Sequence, residues 1–277
     1  MLEHLNSSPQ KPSRVVVIGA AGFVGNAVAS RLEADKVSVI RIGRKEVDLL
    51  APDAEKRIPV QPGDIVVAVA AKAPCKDSAM LVENMIMARA MVRACAPASH
   101  VVNISSDAVY ADSDEPLTET SCAAPSSLHG AMHLAREVMF RAEVKAPLAT
   151  LRPTLIYGAA DPHNGYGPNR FRRLAAEGRE IVLFGEGEER RDHVWIGDVA
   201  DLVVRVLYRR STGVLNIATG TVHSFRDIAL KFSSKVKGSP RSGPMPHNGY
   251  RPFDPAATRK AFPDFRYTPL GDGLKRG

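Results

Sequence analysis

Two histidines four residues apart, His129 and His133, stand in the run SSLHGAMHLARE (Ser126 to Glu137), where helical spacing puts them on one face. Imidazole changes charge near neutral pH, so such a pair could move protons, bind a metal, or simply fill space. Metal binding has the least support. HGAMH lacks the glutamate of HExxH, no cysteine or carboxylate stands nearby at ligand spacing, and no metal is expected. Earlier in the chain, ISSDAVYAD offers a hydroxyl, Ser106, and a carboxylate, Asp107.

A third chemical signal is GAAGFVG, which places Gly19, Gly22 and Gly25 between an apolar run and an amphipathic one, with Phe23 and Val24 inside the turn. Glycines spaced this way let the backbone turn tightly and approach a pyrophosphate, which rests on the N–H groups of the helix that follows. An NAD-preferring turn carries an acid at the end of the next strand, about 20 residues on, to hold the ribose 2′-hydroxyl. Here Gly43 occupies that position and Arg44 and Lys45 follow, two cations with no carboxylate at the strand end. NADP is therefore expected over NAD.

The elements that must position these groups alternate. Strands are expected at 14–20, 37–43, 64–71, 100–106 and 149–158, with helices near 22–34, 78–96 and 126–143. Continuous apolar strands separated by helices imply an α/β fold, a doubly wound parallel sheet covered on both faces. The chain divides into a dinucleotide-binding region over 14–158 and a smaller, mainly substrate-binding lobe over 159–277. Elements near 190–220 are expected to return to the first region. Residues 1–13 read as a frayed tail.

Composition bounds the function. Lys and Arg exceed Asp and Glu by 37 to 30, a formal net charge of +7, but the basic residues are scattered rather than interleaved with aromatics. Nucleic acid is therefore not expected as a partner. Three cysteines without CxxC spacing argue against a disulfide framework and fit a reducing, cytoplasmic setting. No run is apolar and long enough for a membrane segment, and no membrane partner is expected.

With these motifs in place, the chain resembles the extended short-chain dehydrogenase/reductase family, which acts mainly on nucleotide sugars. The spacing GxxGxxG is that family's variant. EVDLLAPDA is similar to its adenine-holding segment, with Asp48 and Leu49, and VAVAAKAP to its fourth strand, with Ala70, Ala71 and then Lys72. Asn84 matches a structural asparagine, and RRDHVWIGDVADLV, LNIATG and YRPFD match later segments. The resemblance implies Ser106 as the hydroxyl that polarises the substrate oxygen and Pro153 as a cofactor contact. It also implies Lys72, Asn169, Arg191 and Arg251 as substrate contacts, the arginines gripping a diphosphate. Homodimerisation through the helices near 80–96 and 126–143 is implied too.

Three departures stand out. The family's Tyr-x-x-x-Lys pair is replaced by His129 and His133, leaving His133 to meet the nicotinamide ribose without a lysine's permanent charge. The histidines could act as acid and base, mark a site that binds nucleotide without turnover, or be structural. Sugar 4,6-dehydratases of the family carry Asp-Glu after the hydroxyl residue. Here Asp107 is followed by Ala108, which disfavours dehydration and leaves reduction or epimerisation of a sugar, with Asp107 a candidate acid. Leu155 stands where many members have a diphosphate-holding asparagine. Tyr110 and Tyr157 match structural positions, whereas Tyr166 and His163 lie on a loop that could fold inward.

Overall fold

In the computed structural model, which describes residues 2–161, 164–240 and 249–276, the chain begins with β1 (Glu3–His4), β2 (Arg14–Ile18), α1 (Phe23–Ala34) and β3 (Ser38–Ile42). There follow α2 (Ala54–Arg57), β4 (Ile65–Ala68), α3 (Ser78–Ala94), β5 (His100–Ile104), α4 (Leu128–Glu143), β6 (Leu148–Pro153) and β7 (Leu155–Tyr157). The later part holds α5 (Pro168–Ala176), β8 (Ile181–Val182), β9 (Arg190–Trp195), α6 (Ile196–Arg209) and β10 (Ser211–Ile217). It continues through β11 (Val222–Ser224), α7 (Phe225–Leu230), β12 (Val236–Lys237), α8 (Ala256–Ala261) and α9 (Leu270–Gly273).

The main sheet has the order β1-β10-β6-β5-β4-β2-β3 and is parallel except for β1, which runs antiparallel to β10. Its central strands are β-branched on both faces because both faces are covered. Val15, Val17, Val67 and Val102 pack toward α1 and α6, while Val16, Val66 and Val101 pack toward α3 and α4. The chain winds outward to β3 and then returns to β4 on the other side of β2. This switch leaves a crevice at the carboxyl ends of the strands, where ligands of such sheets bind. Asp77 and Ser127 cap α3 and α4 by accepting the N–H groups of Met80 (2.8 Å) and Gly130 (3.1 Å).

Beyond β6 a three-stranded sheet, β11-β9-β7, packs on its own apolar cluster of Tyr157, Phe171, Ile181, Leu183, Phe225 and Ile228. Strand β10 then joins the main sheet beside β6. The start of the chain corrects the expectation of a frayed tail. Glu3 and His4 pair with β10, and the His4 ring bridges Ser211 Oγ (2.8 Å) and the Ala261 carbonyl (2.9 Å). Partners more than 200 residues away hold a segment whose own composition gives no sign of order. Among the described residues no helix is long and apolar enough to cross a membrane.

Candidate active site

A cleft of about 710 Å³ opens at the carboxyl ends of the main-sheet strands, a size suited to a ligand larger than a simple sugar. The turn after β2 forms one wall. Gly19 sits at φ +101°, and a Cβ there would fall 2.6 Å from the Ala70 backbone nitrogen. A Cβ on Gly25 would overlap the Gly19 carbonyl oxygen, so this glycine lets α1 close against the turn rather than facing the cleft. Gly22 precedes α1 with no side-chain cap, leaving the helix N-terminus to a ligand. Gly19, Gly22, Phe23 and Val24 line the cleft, as do Asp48, Leu49, Ala70, Ala71, Lys72, His133 and Pro153. This cradle fits a dinucleotide: its backbone approach is open only because the side chains are missing.

The end of β3 differs from expectation. Arg44 lines the cleft, but Lys45 is exposed outside it. Glu46 folds back so that its Oε2 accepts the Gly43 N–H at 2.8 Å. A carboxylate therefore stands where none was expected. The local signal is legible in retrospect, since Glu46 follows Gly43 at the three-residue spacing of a turn.

At the other wall, Ser106, His129 and His133 converge. The side chain of Ser106 donates to Asp107 Oδ1 (3.3 Å) and accepts the Ala108 N–H (3.1 Å). The imidazole rings of His129 and His133 meet edge to face, 4.7 Å between centroids. Among the described residues no group of three or more histidines, cysteines and acids is placed to hold a metal. Burial pulls both imidazoles below their ordinary pKa. At His129 Asp107 opposes this and Arg136 adds to it, while at His133 Arg136 and His129 both add. Arg136 lies fully buried in α4, its guanidinium brought down to about 10 by burial against the opposing charge of Glu137. A contact that sequence could not reveal reaches His129: the Cys75 N–H donates to its Nδ1 at 3.4 Å.

Five further candidates have their side chains engaged by other residues. Asp107 does not line the cleft; it is buried and pairs with Arg251 at 3.2 Å. Arg251 also meets Asp112 at 2.8 Å. Arg191 bonds Asp112 (3.2 Å), Glu189 (2.9 Å) and the Gly249 carbonyl. Burial lowers the Arg251 pKa, but the two carboxylates outweigh it, and the net shift is upward. Neither arginine lines the cleft, because Asp112 gathers both into a neutralised cluster. Asn169 is also turned aside, accepting the Gly158 N–H (3.0 Å) and donating to Asp161 (2.8 Å), and it is Asp161 that lines the cleft. The Lys72 ammonium is paired with Glu83 at 2.5 Å while its backbone is held by Asn84.

Among the tyrosines, Tyr110 bonds Arg152 (2.6 Å) and Asn216 (3.0 Å), and Tyr157 is buried in the second core. Tyr166 packs against Phe171, Phe184 and Phe225 rather than lining the cleft. His163 lies outside the described residues.

Residues 15–218 match the family model described as the NAD dependent epimerase/dehydratase family. The dTDP-L-rhamnose 4-epimerase of Burkholderia thailandensis is 34% identical over 138 residues, 44% of this chain and 38% of that protein's length. The UDP-glucose 4-epimerase of Mycolicibacterium smegmatis is 26% identical over 262 residues, 82% of this chain and 83% of that protein. Among solved structures, the UDP-glucose 4-epimerase of Thermus thermophilus in complex with NAD superimposes with a TM-score of 0.81. It is 22% identical and covers 95% of this chain and 97% of that one.

Proposed function

The chain belongs to the NAD-dependent epimerase/dehydratase family, and from that premise we propose that it is an oxidoreductase or epimerase acting at a keto or hydroxyl carbon of a nucleotide-linked sugar. One observation carries this: a single cleft joins the glycine turn at Gly19 to the hydroxyl of Ser106 and the ring of His129. A nicotinamide bound there would give or take a hydride at the sugar carbon. Gly19, Gly22 and the first turn of α1 would hold its pyrophosphate, with Asp48, Leu49, Ala70 and Ala71 along the adenosine half. Ser106 and His129 would meet the reacting oxygen, and His133 would stay neutral against the ribose.

NADP is the cofactor that Arg44 supports. Glu46 works against it, because its carboxylate must swing away from Gly43 before a 2′-phosphate can settle there. The preference for NADPH over NADH is accordingly modest. With Arg191 and Arg251 closed on Asp112, a grip on the diphosphate is reached in the same way, by opening that cluster when substrate binds. The division into a dinucleotide region over 14–158 and a substrate lobe over 159–277 has support from β10, which rejoins the main sheet. Homodimerisation through α3 and α4 has support from their exposed apolar residues Val82, Leu128 and Val138.

The test adds keto-sugar nucleotides with NADPH, and nucleotide hexoses with oxidised cofactor, to wild type and to His129→Ala. Turnover in wild type that falls about a hundredfold or more in the variant supports the proposal. Turnover untouched by the change removes His129 from the chemistry. Bound cofactor with no turnover favours the second reading, a dinucleotide-binding protein without catalysis, to which the closed arginine cluster lends support.

A further inference from the structure

Which proton work each histidine can do is set by the hydrogen bonds of its ring nitrogens. At His129 the Cys75 N–H points at Nδ1 from 3.4 Å. A nitrogen that accepts a hydrogen bond carries no proton, so the neutral ring keeps its single proton on Nε2. The donor is fixed: Cys75 is buried, and the two residues before it, Ala73 and Pro74, themselves line the cleft. Protonating Nδ1 as well would set two N–H groups against each other across that gap.

The groups facing His129 do not force a charge upon it. Asp107 favours one, but burial is the larger effect, and Arg136 opposes a second cation. The neighbouring ring, His133, is itself held neutral by burial and by Arg136. A histidine that shuttles a proton through Nε2 must pass through a neutral form with Nε2 bare and Nδ1 protonated. The Cys75 contact removes that form. The Nε2–H that remains can donate to a developing alkoxide without leaving the ring, as a neutral electrophilic imidazole does.

We propose that His129 is a tautomer-locked hydrogen-bond donor to the reacting oxygen, and that the proton itself travels between that oxygen and Asp107 through the hydroxyl of Ser106. The proposal rests on the hydride-transfer function given above. Its path is the Ser106 Oγ–H donated to Asp107 Oδ1 at 3.3 Å. In the oxidising direction the carbinol O–H bond breaks and its proton moves to Ser106 Oγ as the Oγ–H proton moves to Asp107. The carbon–hydrogen pair would leave as hydride to an oxidised nicotinamide held by Gly19, Gly22 and the first turn of α1, and the C–O bond would become C=O. Asp107 would gain the one proton, the positive charge on the cofactor would be discharged by the hydride, and the total charge would be unchanged. The reducing direction reverses each movement. Cys75 is a positioning residue, acting through its backbone.

Two measurements decide this, and the first needs no substrate. Long-range proton–nitrogen correlation spectra of the full chain with ¹⁵N-labelled histidine, assigned with His129→Gln, are expected to show the neutral His129 ring as the Nε2–H tautomer. A neutral ring with its proton on Nδ1 would overturn the lock whether or not the correct sugar is known. The second compares turnover. His129→Gln, which keeps an amide N–H in reach of the Nε2 position, is expected to stay within about tenfold of wild type, while His129→Ala loses about 10²–10³-fold. Equal losses in the two variants would make His129 a proton carrier and sink the proposal. Asp107→Asn is expected to lose at least about 10²-fold in kcat while NADPH affinity holds. Retained activity would remove the Ser106–Asp107 path.

Discussion

Around the Gly19–Gly25 turn the groups that shape the cleft are mainly backbone, held by contacts that no side chain could share. Around Asp112 the arrangement is the reverse. Charged side chains from three distant segments, Arg191, Arg251 and Asp107, meet Asp112 or one another and neutralise themselves. A surface made of backbone N–H groups is set as soon as the strand and helix form. A surface made of ion pairs can be opened, and the difference teaches that one side of this molecule is fixed by backbone packing and the other by charge pairing that a single substitution can undo.

Substitutions should separate the two. Gly25→Val forces a side chain into the Gly19 carbonyl, an overpacking of about 3 kcal/mol or more. NADPH binding, followed by its fluorescence, should weaken at least about a hundredfold. A loss below tenfold would mean that the turn is not rigid. Asp112→Asn acts in the opposite sense: removing the carboxylate that Arg191 and Arg251 share should tighten binding of a nucleoside diphosphate about three- to tenfold at low salt. Calorimetry in low and high salt checks this, and unchanged affinity would show that the arginines never turn toward substrate. Glu46→Gln tests the one soft element on the cofactor side. Removing the carboxylate at Gly43 should raise the NADPH-to-NADH affinity ratio about threefold, leaving NADH nearly unchanged. A falling ratio would contradict the opposition assigned to Glu46.

The two regions should differ least in acid, because each buries a neutral histidine. Burial brings His100, on β5, down to about 4 and His193, on β9, to about 3. An unfolded histidine titrates near 6.5, so between about pH 6.5 and 4 the unfolded chain takes up protons that the folded one refuses. Stability is full above this window and is lost as pH falls through it. The melting temperature should drop steadily across the window, and His100→Gln, whose amide can still donate to the Ser211 carbonyl, should flatten the slope. A slope unchanged in that variant would locate the acid sensitivity elsewhere.

How far these features can be read from sequence follows the same divide. Gly19, Gly22, Ala70, Ser106, His129 and His133 all reach the cleft, because each stands at the end of a strand or on the face of a helix whose period the sequence displays. The Asn84 clasp on the Lys72 backbone belongs to this class. What was hidden depends on partners far along the chain. Asp107 lies 144 residues from Arg251, and Cys75 lies 54 from His129; neither composition nor periodicity encodes such a meeting. The strand at Glu3–His4 is ordered by β10 and by the Ala261 carbonyl, for the same reason. Glu46 is the exception, a local turn whose spacing was visible and whose direction was not.

The most direct test of the account is a rapid-mixing measurement of the protein loaded with oxidised cofactor against a panel of nucleotide-linked hexoses. Hydride transfer at a cleft that joins the glycine turn to Ser106 and His129 predicts a transient of reduced-nicotinamide absorbance with at least one sugar. That transient should be slowed about a hundredfold or more in His129→Ala at unchanged cofactor occupancy. Full occupancy with no transient from any sugar, or a transient equally fast in the variant, would contradict it.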